Sequence, residues 1–110
     1  MQIESTQVDE KVVLKLTGRM DAQNATAFEE ACMEWVNKGV VEIVLDMQGL
    51  QYISSLGLRS FVVIGQLTKQ KGGQLRLCGV TGLVKQVFEI TRVHTMFLMY
   101  DSVESALAGG

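Results

Sequence analysis

Apolar and polar residues alternate over the first part of the chain, which is the pattern of half-buried β-strands. The alternation predicts strands over residues 2–8 and 11–17, joined by a turn at Asp9-Glu10, and Gly18 is expected to end the second strand. The inward positions of that second strand are Val12, Leu14 and Leu16.

Farther along the chain, strands alternate with helices. Apolar positions recur at helical spacing from about Ala22 to Lys38 and from about Ser55 to Lys71, with a buried strand at Val41–Met47 between them. The remaining elements are a strand at Leu75–Cys78, a helix capped by Thr81, a strand at Phe97–Tyr100 and a short helix opened by a capping box at Asp101–Glu104. The order ββαβαβαβα predicts an α/β fold: a mostly parallel β-sheet of βα units, with an antiparallel N-terminal edge strand and helices packed on the sheet.

Composition limits the kinds of protein this chain can be. A length of 110 residues with 47% hydrophobic residues suits a single domain over residues 1–110. Lys and Arg number 10 against 12 Asp and Glu, with no basic stripe, so we expect no direct nucleic-acid binding. No apolar run approaches the roughly 20 residues that span a bilayer, which predicts a cytoplasmic protein without membrane insertion. Cys32 and Cys78 are expected to be buried small hydrophobic residues rather than a disulfide or metal pair.

Two adjacent serines occupy the most informative place in the pattern. Ser54 and Ser55 lie where a strand passes into a helix N-terminus, at the carboxyl edge of the sheet where open α/β folds place their sites. Either serine is a natural N-cap, and the same helix end also favours an anion or phosphate. The loops expected at this edge are Gly18–Gln23, Met47–Ser55, Gly79–Thr81 and Tyr100–Ser102.

Groups for catalysis are scarce. The single histidine, His94, precedes the last strand and is expected in a solvated loop at the opposite edge, where it cannot serve either serine as a base. Asp21 and Asp46 could approach each other, but two carboxylates make a weak metal signal, and we predict neither a metal nor a cofactor. A serine without a base is a poor nucleophile and still a good substrate for a kinase. The pattern therefore favours a regulatory protein over an enzyme.

Four segments in this order resemble a known family. They are Leu16–Asp21, Val44–Asp46, the gap-free stretch Tyr52–Arg59, and Phe97–Leu107 with its Tyr-Asp-Ser-Val-Glu-Ser-Ala-Leu ending. The chain resembles a STAS domain of the bacterial anti-sigma factor antagonist type over nearly its whole length. The resemblance implies the STAS fold and places the family's phosphorylated serine on Ser55.

The resemblance also implies which residues surround the phosphorylation site and bind the partner. These residues are Asp21, Ser54, Leu56, Gly57, Leu58 and Arg59. Gly57 and Leu58 match the family's Gly-Leu, whereas three positions depart from its pattern. Ser54 stands where the family usually has Asp, Leu56 where it has Ser or Thr, and Arg59 where it has a small residue.

The function implied by the resemblance is partner switching. The unphosphorylated antagonist binds an anti-sigma factor that is also a GHKL-type serine kinase, and so releases the sigma factor. Phosphorylation of Ser55 ends that binding, and a metal-dependent serine phosphatase restores it. One alternative is a non-phosphorylated STAS scaffold subunit of a lipid ABC transporter or other regulatory complex. A small α/β enzyme or nucleotide-binding module is disfavoured because a base, a metal cluster and a phosphate-binding loop are all missing from the pattern.

Overall fold

The elements alternate along the chain in the predicted order. A computed structural model describes residues 1–109. Its strands are β1 (Gln2–Val8), β2 (Lys11–Met20), β3 (Glu42–Ile53), β4 (Gln74–Cys78) and β5 (Leu98–Tyr100). Its helices are α1 (Ala22–Asn37), α2 (Ser55–Gln70), α3 (Gly82–Thr91) and α4 (Val103–Ala108), with a short 3₁₀ helix at Val93–Met96.

The five strands form one sheet in the order β1-β2-β3-β4-β5. β1 runs antiparallel to β2 at one edge, whereas β2, β3, β4 and β5 run parallel to one another. This is the predicted α/β architecture, with the helices as crossover connections between parallel strands.

One face of the sheet carries most of the core. The inward positions Val12, Leu14 and Leu16 of β2 are fully buried, as the alternation predicts. Above them three helices meet through a row of phenylalanines, with ring centroids 4.9 Å apart for Phe28–Phe61 and 6.3 Å apart for Phe61–Phe88. These rings join α1, α2 and α3 into one layer, and tilted aromatic pairs of this kind add to the burial energy.

The other face of the sheet is covered by the short helix α4. Its buried Ala106 packs against Val44 of β3 and Cys78 of β4. The capping box of α4 lies one residue later than predicted: Ser102 and Ser105 exchange the two bonds, at 3.1 and 3.2 Å. Asp101 is therefore not the cap, because the chain leaves β5 at Tyr100 and needs one more residue before it turns.

Two strands are longer than the pattern predicts. β2 continues past Gly18 to Met20, and β3 continues through residues 48–53, which were expected to form a loop. The extension exists because residues 17–20 of β2 pair in parallel with residues 49–53 of β3. Gly18, at a φ of +107°, marks an irregularity in this pairing rather than the end of the strand. Tertiary pairing thus overrides the turn signal of the glycine.

The aromatic row makes a direct stability prediction. Replacing the fully buried Phe61 with alanine removes both ring contacts and leaves a cavity, so Phe61→Ala should lower the free energy of unfolding by about 3–5 kcal/mol. Gln66→Ala, at an exposed position of the same helix, should change it by less than about 0.5 kcal/mol. Urea unfolding followed by circular dichroism measures both, and similar losses for the two variants would contradict the assigned core.

Candidate functional site

The paired ends of β2 and β3 position the candidate site. Met20 is the partner of Ile53 across the parallel ladder, and the next residue of each strand begins a helix connection. The backbone N–H of Ser54 donates to the carbonyl oxygen of Met20 at 2.8 Å. The starts of α1 and α2 are therefore held side by side by the sheet beneath them.

Each of the two helices begins with a side-chain cap. The Asp21 carboxylate accepts a hydrogen bond from the backbone N–H of Asn24 at 2.9 Å, and the Ser54 hydroxyl accepts one from the N–H of Gly57 at 3.1 Å. Both caps have extended backbone, as N-cap residues do. Of the two serines that sequence alone left open, Ser54 is the structural cap.

Ser55 is the first residue of α2, and its side chain is exposed. Within residues 1–109 its hydroxyl makes no hydrogen bond, in contrast to the hydroxyl of Ser54. The first turn of a helix carries unpaired N–H groups and a partial positive charge, which stabilise a negative group placed there. The Ser55 hydroxyl is thus accessible to another protein, and a phosphate on it would be compatible with the helix.

Gly57 lets the first turn of α2 lie directly on the strand ends. A Cβ at this position would lie 2.8 Å from Cγ1 of Ile53 and 3.0 Å from Sδ of Met20. A side chain here would force the Ile53 and Met20 side chains, or the helix start that carries Ser55, to shift. The neighbouring Leu58 is buried and anchors the same turn, whereas Leu56 is 48% exposed beside Ser55.

Charged and polar side chains line the groove between α1 and α2 beside the site. Arg59 is exposed one turn after Ser55 and lines a cavity of about 210 Å³ together with Glu29 and Ser60. The buried Ser60 hydroxyl donates to the Glu29 carboxylate at 3.1 Å, which ties the two helices together. No local pattern of the sequence indicates this pair, because only helix packing brings the two residues into contact.

A second contact that no local sequence pattern indicates lies at the strand ends. The Arg19 guanidinium carbon lies 4.4 Å from the centroid of the Tyr52 ring, a cation–π geometry. The two residues are partners in the β2–β3 ladder. Their pairing follows only from the extended register, which no local pattern of the sequence indicates.

The structure separates residues that were expected to share one edge. Cys78 and Tyr100, at the ends of β4 and β5, lie level with Asp46, seven residues before Ile53. Seven residues of strand correspond to about 20–25 Å, so the turns that carry Thr81 and Asp101 begin far from Ser55 along the sheet. For the same reason Asp21 and Asp46 do not approach each other, since Asp46 pairs with Lys15 near the middle of β2.

Two expected side-chain roles are also corrected. Thr81 is the residue before α3, but its side chain makes no cap bond, and the chain enters the helix through Gly82 at a φ of +61°. His94 is not a solvated loop residue: it lies half-buried in the 3₁₀ helix, with Nδ1 3.0 Å from the carbonyl oxygen of Phe88. The same carbonyl, in the last turn of α3, also accepts a hydrogen bond from the Thr91 hydroxyl at 3.4 Å.

Both cysteines are buried free thiols, as predicted. Burial raises the pKa of the Cys32 thiol to about 12, with a smaller contribution from the charge of Glu29. Burial also raises the pKa of Cys78 to about 11, helped by the charges of Asp46 and Glu104.

Across residues 1–109, no cluster of three or more His, Cys, Asp and Glu residues is arranged to bind a metal ion. Among the helices of the same residues, none is long and apolar enough to cross a membrane.

The two serines should differ in their effect on stability. Ser54→Ala removes the cap of α2 and should lower the free energy of unfolding by about 1 kcal/mol. Ser55→Ala removes an exposed hydroxyl that makes no hydrogen bond and should change it by less than about 0.5 kcal/mol. Chemical unfolding of both variants in parallel measures the difference, and a larger loss for Ser55→Ala would mean that the cap is assigned to the wrong serine.

Known proteins with similar sequences point to one family. A family model described as the STAS domain matches residues 2–106. The chain is 33% identical over 108 residues to BtrV of Bordetella bronchiseptica, named provisionally as an anti-sigma factor antagonist, with 98% of this chain and 93% of that protein covered. It is 25% identical over 104 residues to the anti-sigma-B factor antagonist of Staphylococcus aureus, with 94% and 96% covered.

Solved structures share the fold. A Thermotoga maritima protein, also provisionally described as an anti-sigma factor antagonist, matches with a TM-score of 0.90 at 24% identity, covering 97% of this chain and 92% of that chain. The anti-sigma factor antagonist SpoIIAA in its unphosphorylated form matches with a TM-score of 0.77 at 18% identity, covering 98% and 96%. Since the family model spans nearly the whole chain and a full-length relative is 33% identical, the chain belongs to the STAS domain family.

Proposed function

We propose that this chain is an anti-sigma factor antagonist that acts by partner switching. In its unphosphorylated form it binds an anti-sigma factor that is also a GHKL-type serine kinase, and the sigma factor is released. Phosphorylation of Ser55 abolishes that binding. The observation that carries the proposal is the exposed Ser55 hydroxyl at the first residue of α2, beside a different serine that caps the helix.

The different structural roles of Ser54 and Ser55 support this function. Ser54 holds the helix end, so a kinase can modify Ser55 without removing a structural hydrogen bond. A phosphate there adds about −1.5 to −2 charges next to helix N–H groups, which favour it. The same charge becomes costly when a docked partner excludes water from it. Modification therefore preserves the domain and weakens one interface.

The relatives support the class of partner. BtrV and the Staphylococcus aureus protein carry the name anti-sigma factor antagonist, and SpoIIAA of Bacillus is known in a phosphorylated form. We extend this to a cycle in the cytoplasm in which the kinase uses ATP and a metal-dependent serine phosphatase restores Ser55. In this cycle the chain is a substrate and a ligand, and catalysis belongs to its partners.

The first test identifies the modified residue. Each purified GHKL-type serine kinase of the source organism is incubated with the chain and ATP, and the product is mapped by mass spectrometry. We expect one kinase to add a single phosphate at Ser55, because its hydroxyl is exposed, and to leave Ser54 unmodified. The matched controls are Ser54→Ala, which should still be modified, and Ser55→Ala, which should not. Phosphate found on Ser54 or retained in Ser55→Ala would contradict the assignment.

The second test measures the switch itself. Ser55→Asp should bind the kinase at least about tenfold more weakly than the parent chain, a loss of roughly 1.4 kcal/mol. Ser55→Ala should bind nearly as well as the parent, since it adds no charge and little bulk is lost. Calorimetric titrations give the affinities, and thermal melts verify that each variant is folded. Equal affinities for all three proteins would exclude the switch and favour a constitutive STAS scaffold, such as a subunit of a lipid ABC transporter.

A further inference from the structure

The helix α1 beside the site carries acidic residues and no basic ones. α1 holds three of the twelve acidic residues, Glu29, Glu30 and Glu34, and none of the ten basic ones. Outside α1 the basic residues therefore slightly outnumber the acidic ones. Glu30 and Glu34 are exposed, and no salt bridge involves them within residues 1–109. With the exposed C-cap residue Lys38 counted, the three glutamates still leave α1 with a net charge of −2.

Apolar side chains are exposed on the same face. Met33 of α1 is 37% exposed, and Leu56 and Val63 of α2 are 48% and 39% exposed. Leu56 and Val63 line the same groove between α1 and α2 as Glu29 and Arg59. A face that combines apolar residues with unpaired charges is typical of the core and rim of a protein interface.

The α2 end of this face has the opposite sign. Arg59 is the only charged residue between Ser55 and Thr68, it is exposed, and it forms no salt bridge within the described part of the chain. The N-terminus of α2 adds a partial positive charge one turn away. At the strand ends beside Ser55, the exposed Arg19 adds a second positive charge and Asp21 adds one negative charge, so the net side-chain charge there is +1. The α1–α2 face, defined by Met33, Leu56, Val63, Glu30, Glu34 and Arg59, is thus negative along α1 and positive beside Ser55.

From this arrangement we propose that the α1–α2 face is a bipolar docking surface that orients the serine kinase. The inference rests on the proposed function and deepens it. The occupant is a kinase whose surface carries a Lys- and Arg-rich patch opposite α1 and an acidic or phosphate-bearing region, at its ATP site, opposite Ser55 and Arg59. Complementary charges fix the orientation of encounter, and the exposed Leu56 and Val63 supply the apolar contact.

The same arrangement explains how one phosphate can disrupt a whole interface. A phosphate of about −1.5 to −2 charges exceeds the net charge of +1 that Arg19, Asp21 and Arg59 give to that end, and it reverses the sign there. The face then becomes negative from one end to the other. The acidic or phosphate-bearing ATP site of the kinase is then repelled by the phosphate on Ser55. The basic patch of the kinase is attracted to both ends of the face, so the charges no longer fix one orientation.

The test uses the full chain and the kinase that binds it in the titrations above. Glu30→Gln/Glu34→Gln removes two charges from α1, and Glu4→Gln/Glu10→Gln removes two exposed charges from the distant β1 hairpin. In about 50 mM salt we expect the α1 variant to bind about fivefold more weakly and the hairpin variant to match the parent. In about 500 mM salt the difference should shrink to less than about twofold, because screening removes it. Thermal melts verify that both variants are folded.

The outcomes separate this inference from the function on which it rests. If Ser55→Asp loses binding while the α1 variant keeps the parent affinity and salt dependence, the switch stands and the bipolar surface is wrong. If both double variants weaken binding equally, the effect is one of net charge, and the bipolar surface is again wrong. If no kinase binds the parent chain, or Ser55→Asp binds as the parent does, the proposed function and this inference are both overturned.

Discussion

The parallel pairing of residues 17–20 with residues 49–53 is the constraint on which the site depends. Because of this pairing, β2 and β3 end at the same level of the sheet, where Met20 and Ile53 are partners. Each strand is followed directly by a helix. A single backbone hydrogen bond of 2.8 Å, from Ser54 to Met20, closes the pair. Without this extension the two helices would begin at different heights, and Asp21, Ser54 and Ser55 would not be neighbours.

Packing of the helices on the sheet then fixes the position of Ser55 at the surface. Gly57 allows the first turn of α2 to rest on Met20 and Ile53, and Phe61 fixes the next turns against Phe28 and Phe88. Close packing of this kind leaves little room for the helix to shift along its axis. The exposed Ser55 is therefore carried on a rigid support, although it makes no hydrogen bond of its own within residues 1–109.

Local patterns predicted the order of elements and most helix bounds, because helical spacing and terminal glycines act over a few residues. They did not predict the extensions of β2 and β3, whose stability comes from pairing between segments about 30 residues apart in sequence. The two serines could not be distinguished for a similar reason. Either hydroxyl satisfies the cap chemistry, and only the backbone geometry at Ser54 and the 3.1 Å bond to Gly57 decide between them. Likewise, the contact of Arg19 with Tyr52 follows from a register that no segment encodes by itself.

Burial of the two thiols makes both cysteines of this domain resistant to oxidation. Oxidants react with thiolates, and a thiol whose pKa is about 12 or 11 is almost never ionised near neutral pH. Cys32 and Cys78 are also shielded from solvent, so peroxide reaches neither sulfur while the domain stays folded. A burst of oxidative stress would therefore leave both cysteines unmodified, and oxidation would fall on the exposed methionines Met33, Met96 and Met99 instead. The cysteines of this domain therefore do not act as a sensor of the redox balance of the cell.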